Sequence, residues 1–310
     1  MRLRTVLLAA VVAIATASVG AAYETDQYSN RLTPLADAGP ALDREVNAAI
    51  VDIAAQWKGP RDDNRFVMAV FHRIGGYYWV DRLERWAMDS PEVEKLPTPR
   101  RQSVYHGLPL RTTRVAGIFG IGPTFRVGDT LVGSDKIGHF LSQGRKFWQR
   151  WHRRRDEAGP ARTSARIEGG IFGGVTTGSY SNADVVANYE GYRFYRSLFE
   201  DEVVPGKPAI LRWQDGHWVV QRPFAWRDHV NAYWDEALNP NAYSPGLRRA
   251  MLGRLRDFCG DYARMPQSYA LAPNEDAALA ARYAGIGLRP DPALRLDAVC
   301  ADAPEAAAAR

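Results

Sequence analysis

The residues best equipped for chemistry sit in the segment Gly133-Ser-Asp-Lys-Ile-Gly-His-Phe140 and its downstream partners. Asp135 and His139 are four apart, so on a helix they share a face, which Gln143 extends. In the stretch after Ser181, Asp184, Asn188 and Gly191 share a face in the same way. Between them lies Glu168, in a segment with Gly169, Gly170, Gly173 and Gly174. Two interlaced Gly-x-x-x-Gly pairs there leave a bare helix face against which another backbone can approach. Three helices would thus gather Asp135, His139, Glu168, Asp184 and Asn188. His139 with a carboxylate one turn away is an oriented general base, with Glu168 or Asp184 as its acid partner. His139, Asp135, Glu168 and Asp184 are therefore the catalytic candidates, and Lys136 and Asn188 the binding candidates. A buried, satisfied hydrogen-bond network and a mixed His/carboxylate metal site are the alternatives. One histidine is few for zinc and no His-Glu-x-x-His occurs, so neither metal nor cofactor is assigned.

The order Asp-Lys-x-x-His-Phe, then Glu, then Asp-x-x-x-Asn-x-x-Gly resembles the VanZ-like membrane proteins and the small YfiM-like envelope proteins. It is carried by Asp135, Lys136, His139, Phe140, Glu168, Asp184, Asn188 and Gly191, within about residues 131–195. The resemblance implies an envelope context. It implies no reaction, because these families have no settled activity. VanZ-like proteins are membrane-embedded, whereas this stretch carries Arg145, Lys146, Arg150 and Arg153 to Arg155 and is expected to be soluble.

The N-terminus carries an address. Arg2 and Arg4 precede an apolar run from Val6 to Ala15 and then small residues to Ala22, the order of a secretory signal peptide over residues 1–22 cut before Tyr23. An uncleaved anchor helix is the alternative; the run is shorter than the ~20 residues that span a bilayer. No Cys stands at the cut for a lipid anchor, and no later stretch is apolar enough to span a membrane, so the mature chain is expected to have no transmembrane segment. Losing Arg2 and Arg4 lowers the formal charge of +5 by two, to +3, too mild for a nucleic-acid binder. Cys259 and Cys300 are the only cysteines. In an oxidising compartment they read as a disulfide, worth about 4 kcal/mol by chain entropy, with two free thiols as the alternative.

The elements that must position these residues follow from periodicity. Residues 23–39 read as an extended N-terminal arm. Helices are expected over 41–57, 62–74 and 77–88, and a short one from Ser90-Pro91. A hairpin turns at Gly128-Asp129 within 124–132, and a second at Asp215-Gly216 within 210–220. Ser134 should cap a helix to Arg155, and Ser181 a long helix, with Asp184 at capping-box spacing. Further helices are expected near 226–238, 245–258 and 274–284, and a disordered tail over 301–310. The fold class is mainly α: one helical domain, 40–300, with two small β-hairpins.

Arg145 to Arg155 mixes cations with Phe147, Trp148 and Trp151. Arg153, Arg154 and Arg155 either meet an anionic surface or complement the helix dipole while the aromatics turn inward. His72, His106, His217 and His229 read as packing or surface, and no Gly-x-Ser-x-Gly or P-loop occurs. The chain is thus expected to be a periplasmic or secreted bacterial envelope protein. It is read as a non-catalytic factor that meets an anionic surface, a glycan or an envelope protein; an envelope hydrolase using His139 and its carboxylates is the alternative.

Overall fold

The computed structural model describes residues 24–29, 31–76, 80–108, 120–155 and 179–301. The signal segment, Glu168 with its glycine-rich segment, and residues 302–310 lie outside the described residues.

The protein is mainly α. Helix α1 (Gly39–Ala55) begins with Pro40 in its first turn, where a missing N–H costs nothing. Helix α2 (Asp63–Ile74) is capped by Asp62, which accepts from the Arg65 N–H at 2.9 Å. Helix α3 (Arg82–Asp89) starts at Asp81 through a capping box with Glu84. Ser90 closes α3 and starts no new helix. Lys95 Nζ donates to the Ser90 carbonyl at 2.7 Å, and Leu96 forms a bridge with Thr124, which draws the chain away from a helical path.

The short strands occur in pairs. Strand β1 (Glu24–Thr25) runs parallel to β2 (Ile121–Gly122). Strands β3 (Thr124–Val127) and β4 (Thr130–Gly133) form a hairpin closed by Gly128-Asp129, with Gly128 at φ +59° as a two-residue turn of the II′ kind requires. Next comes one continuous helical run. It comprises α4 (Asp135–Gly138), a π-helical turn (His139–Gln143) and α5 (Gly144–Arg154), ending with Arg155 in the left-handed region. Ser134 has helical dihedrals and its side chain makes no cap bond, contrary to the expectation from sequence.

Strand β5 (Ser179–Tyr180) pairs antiparallel with β8 (Ala242–Tyr243), bracketing helix α6 (Asn182–Ser197). Ser181 does cap α6, accepting from the Asp184 N–H at 3.1 Å. The hairpin of β6 (Leu211–Gln214) and β7 (His217–Val220) turns at Asp215-Gly216, both residues at positive φ. The region 226–238 is not the helix its periodicity suggests. It is two single turns, Trp226–Asp228 and Ala232–Trp234, because Asn231 adopts an extended conformation between them and caps the second turn. That break lets both Trp226 and Trp234 reach the interior. Helices α7 (Pro245–Leu255), α8 (Cys259–Arg264), α9 (Pro273–Arg282) and α10 (Leu296–Ala301) complete the described chain.

The described residues form two apolar cores. The larger packs α1 and α2 against the 135–154 run and α6, with Phe140 ringed by Phe194, Phe224, Trp226 and Trp234. The smaller joins Tyr28, Val104 and Tyr105 to Leu247, Met251, Leu255 and Leu294, and the Cys259–Cys300 disulfide ties α8 to α10 beside it. In the N-terminal segment, Thr25, Asp26, Gln27, Tyr28 and Ser29 are all buried. Among the described residues, no helix is long and apolar enough to cross a membrane.

Candidate functional site

The site forms where the 135–154 run crosses α6. The crossing is set by glycines: a Cβ on Gly191 would lie 1.9 Å from the Phe140 carbonyl oxygen, and one on Gly144 would lie 2.4 Å from the Gly191 backbone. The backbones therefore approach to a distance that no larger residue allows. His139, beside Phe140 on one helix, and Asn188 and Asp184, one and two turns before Gly191 on the other, meet as a consequence. The π turn begins at His139; such turns, which shift the helix face by one residue, recur at functional sites.

Lys136 is the hub and is wholly buried. Its ammonium lies 2.7 Å from Asp135, 2.7 Å from Asp184 and 2.9 Å from Glu236. Burial alone would pull this amine down, but Asp135, then Asp184 and Glu236, outweigh it and hold the lysine charged, well above its ordinary value. The carboxylates divide in character. Burial raises Asp135 despite Lys136 beside it, and pushes Glu236 up to about 7. Asp184 is also penalised by burial, yet His139 and Lys136 pull it below the usual carboxylate range, so it is the firm anion of the group.

His139 sits at the rim, its side chain 21% exposed, with Asp184 at 14%. Its Nε2 faces Asp184 Oδ2 at 3.2 Å and its Nδ1 faces Asn188 Oδ1 at 3.0 Å. Both ring nitrogens thus meet oxygen acceptors. With a proton on Nδ1 donated to Asn188, Nε2 needs a proton of its own or a cation between it and Asp184. Asp135, His139 and Asp184 also offer ligand atoms that all lie within 4.8 Å of one another, so these three could hold a metal ion.

A further layer fixes the group. Ser181 donates to Glu236 at 3.1 Å and Asn241 donates to its other oxygen at 3.2 Å. Thr25 donates to Asp135 Oδ1 at 3.2 Å, and Gln27 donates to Thr25 at 3.4 Å. Gly133 admits Thr25, whose Oγ1 would lie 2.2 Å from a Cβ there. A second carboxylate pair adjoins the site. Ser142 donates to Asp81, with contacts of 2.9 and 2.8 Å to its two oxygens, and burial lifts Asp81 to about 7 against the pull of Ser142, Arg145 and His139. Glu84 is raised well above its ordinary value by burial, then by Asp135 and Asp81, and its Oε2 occupies the room left by Gly138.

The structure thus joins Asp135, Lys136, His139, Asp184 and Asn188 among the residues singled out by spacing, while Glu168 lies outside the described residues. It adds Glu236, Thr25, Ser142, Asp81 and Glu84. For Asp81 and Glu84 the capping-box spacing was a readable signal; for Glu236, a hundred residues from Lys136, no local pattern existed. Arg153, Arg154 and Arg155 are not part of the site. They are exposed at the far end of α5, about 20 Å along the helix from His139 at ~1.5 Å per residue. The aromatics of α5 turn inward, Phe147, Trp148 and Trp151 all being buried, and Trp151 is flanked by the Arg155 and Arg196 guanidinium groups at 4.6 Å each. His229, read as packing or surface, is buried and paired with Glu190 at 3.1 Å, which also accepts from Arg282 at 2.7 Å and Tyr283 at 2.9 Å.

No family model, no curated protein and no solved structure matches this chain.

Proposed function

We propose that this is an exported protein of the bacterial cell envelope that performs no reaction and holds to an anionic envelope surface through the outward face of α5. The observation that carries the reading is the sorting of that helix. Lys146, Arg150, Arg153 and Arg154 recur at i, i+4, i+7 and i+8 and are all exposed, while Phe147, Trp148 and Trp151 are buried on the other side. A helix that needed cations only for its dipole would concentrate them in the last turn. Here Lys146 stands near the first turn, and the cationic ridge runs the length of the helix. The signal-like N-terminus, the disulfide and the resemblance of residues 131–195 to envelope families agree with that setting. Lys136 is sealed and both His139 nitrogens face internal acceptors, an arrangement suited to fixing the crossing of two helices.

Each basic residue near an anionic membrane contributes ~1 kcal/mol, so replacing Arg153, Arg154 and Arg155 by Gln should cost ~3 kcal/mol, roughly a 100-fold loss of affinity. The test is sedimentation of the mature protein with phosphatidylglycerol vesicles over a salt series, using phosphatidylcholine vesicles as the control. Equal binding by wild type and triple variant, or no preference for the anionic vesicles, refutes the reading.

A hydrolase reading keeps one specific support: His139 and Asp184 reach solvent at the rim, as an acid–base pair must. It predicts that His139→Gln abolishes a knockout-complementing activity while vesicle binding is unchanged.

A further inference from the structure

We infer that Asp135, His139 and Asp184 form a binding site for one divalent transition-metal ion, of the kind represented by Zn2+ or Mn2+. This goes beyond the surface-binding reading and does not depend on it, since the site and the α5 ridge share no residue.

Three observations converge. The first is the facing of donors. His139 Nε2 and Asp184 Oδ2 lie 3.2 Å apart, the separation of two ligands each ~2.1 Å from a shared ion at an angle of about 100°. Asp135 brings a third ligand atom within 4.8 Å of both. The second is the setting of the ring. Asn188 Oδ1 at 3.0 Å accepts the Nδ1 proton, so Nε2 faces Asp184 Oδ2 and meets it through either a proton or a cation. A metal ion bound there takes the place of that proton. A hydrogen-bonded far nitrogen is also the usual support of a histidine ligand.

The third is charge. Asp135, Asp184 and Glu236 surround one lysine, so three acids face one buried cation. A cation at the rim adds positive charge to a cluster in which acids outnumber bases. Lys136 does not compete for the same oxygens. It holds Asp184 through Oδ1 and Asp135 through Oδ2, leaving Asp184 Oδ2 to face the ring, while Asp135 Oδ1 accepts from the Thr25 hydroxyl at 3.2 Å. The lysine fixes the two carboxylates, and the hydroxyl steadies the third ligand. One histidine and two carboxylates suit Zn2+ and Mn2+, whereas Mg2+ seldom takes a nitrogen ligand and serves as the negative control.

The experiment uses the full mature chain, stripped with chelator and titrated calorimetrically with Zn2+, Mn2+ and Mg2+. Binding of one Zn2+ per chain is expected, with the thermal midpoint rising as metal is added. Where His139 starts as an imidazolium, the heat depends on the buffer because the Nε2 proton leaves to solvent. Asp184→Asn and His139→Gln should each weaken Zn2+ binding at least tenfold. Unchanged affinity in both variants, or no stoichiometric uptake by wild type, overturns the site. Because a variant can misfold, the wild-type chain supplies a second readout. In 15N-histidine spectra, the His139 Nε2 resonance should move to the metal-bound range on adding one equivalent of Zn2+. A His139 signal that stays where it was while Zn2+ binds elsewhere also overturns it.

Discussion

Asp81 gives the sharpest handle on how this site is balanced, because one oxygen-to-nitrogen exchange separates its charge from its hydrogen bonds. Burial lifts its carboxyl from an ordinary value of 3.8 to about 7. Between those two values the unfolded chain has released the proton while the folded chain retains it. The unfolded state therefore binds fewer protons, and unfolding free energy falls as pH rises through that window. At ~1.4 kcal/mol per unit, a shift of about three units costs the folded state roughly 4 kcal/mol by pH 8, and almost nothing at pH 4. Asp81→Asn removes the ionisation but keeps a carbonyl oxygen for the Ser142 hydroxyl, and it keeps a good N-cap for α3, since Asn and Asp rank alike there. The variant should match wild type near pH 4 and exceed it in stability by up to about 4 kcal/mol near pH 8. Urea melts of both proteins across that range measure the difference. A stability gap that does not change with pH, or an Asn variant weaker than wild type at pH 8, refutes the argument that an ionised Asp81 is a cost to the fold.

Two further substitutions test the frame around the site. Gly191→Ala puts a Cβ 1.9 Å from the Phe140 carbonyl and must push the helices apart; it should destabilise by about 3 kcal/mol, at the upper end for overpacking, and thermal melts would show it. No loss of stability would mean that the helices do not cross at this distance. Lys136→Met leaves three carboxylates facing one another without their counter-ion and should cost about 3–5 kcal/mol at neutral pH, with part of the loss recovered in acid as the carboxyls are protonated. Denaturant melts at two pH values read this; a variant as stable as wild type at pH 7 would show that the three carboxylates do not depend on the lysine.

Several features are local and so were legible in the sequence. Asp215-Gly216 fixes its hairpin because both residues can adopt positive φ, and Gly128 does the same for the first hairpin. The periodicity of Phe66, Val67, Val70, Phe71 and Ile74 specifies α2, and all five are buried. Ser181 ahead of Asp184 marks the start of α6. Even there the spacing foretold only half the outcome. Asp184 gives its backbone N–H to the cap, but its carboxylate turns to Lys136 and His139.

The faces shared by Asp135 with His139, and by Asp184 with Asn188, follow from helix geometry alone. That the two faces meet, and how closely, follows from the contact of Gly144 with Gly191, which is decided when the helices pack. The same holds for the break between Trp226 and Trp234. A helix through 226–238 satisfies the local pattern, yet two turns bring both indoles into the core, and burying two such rings outweighs the lost helical bonds. Lys136 shows the division most plainly. By sequence it is one cation beside one acid. Its hundred-residue reach to Glu236, and the raised affinity of Glu236 and Asp81 for protons, arise only once the fold has removed water from around them. Electrostatic strength depends on that removal, which tertiary structure alone sets.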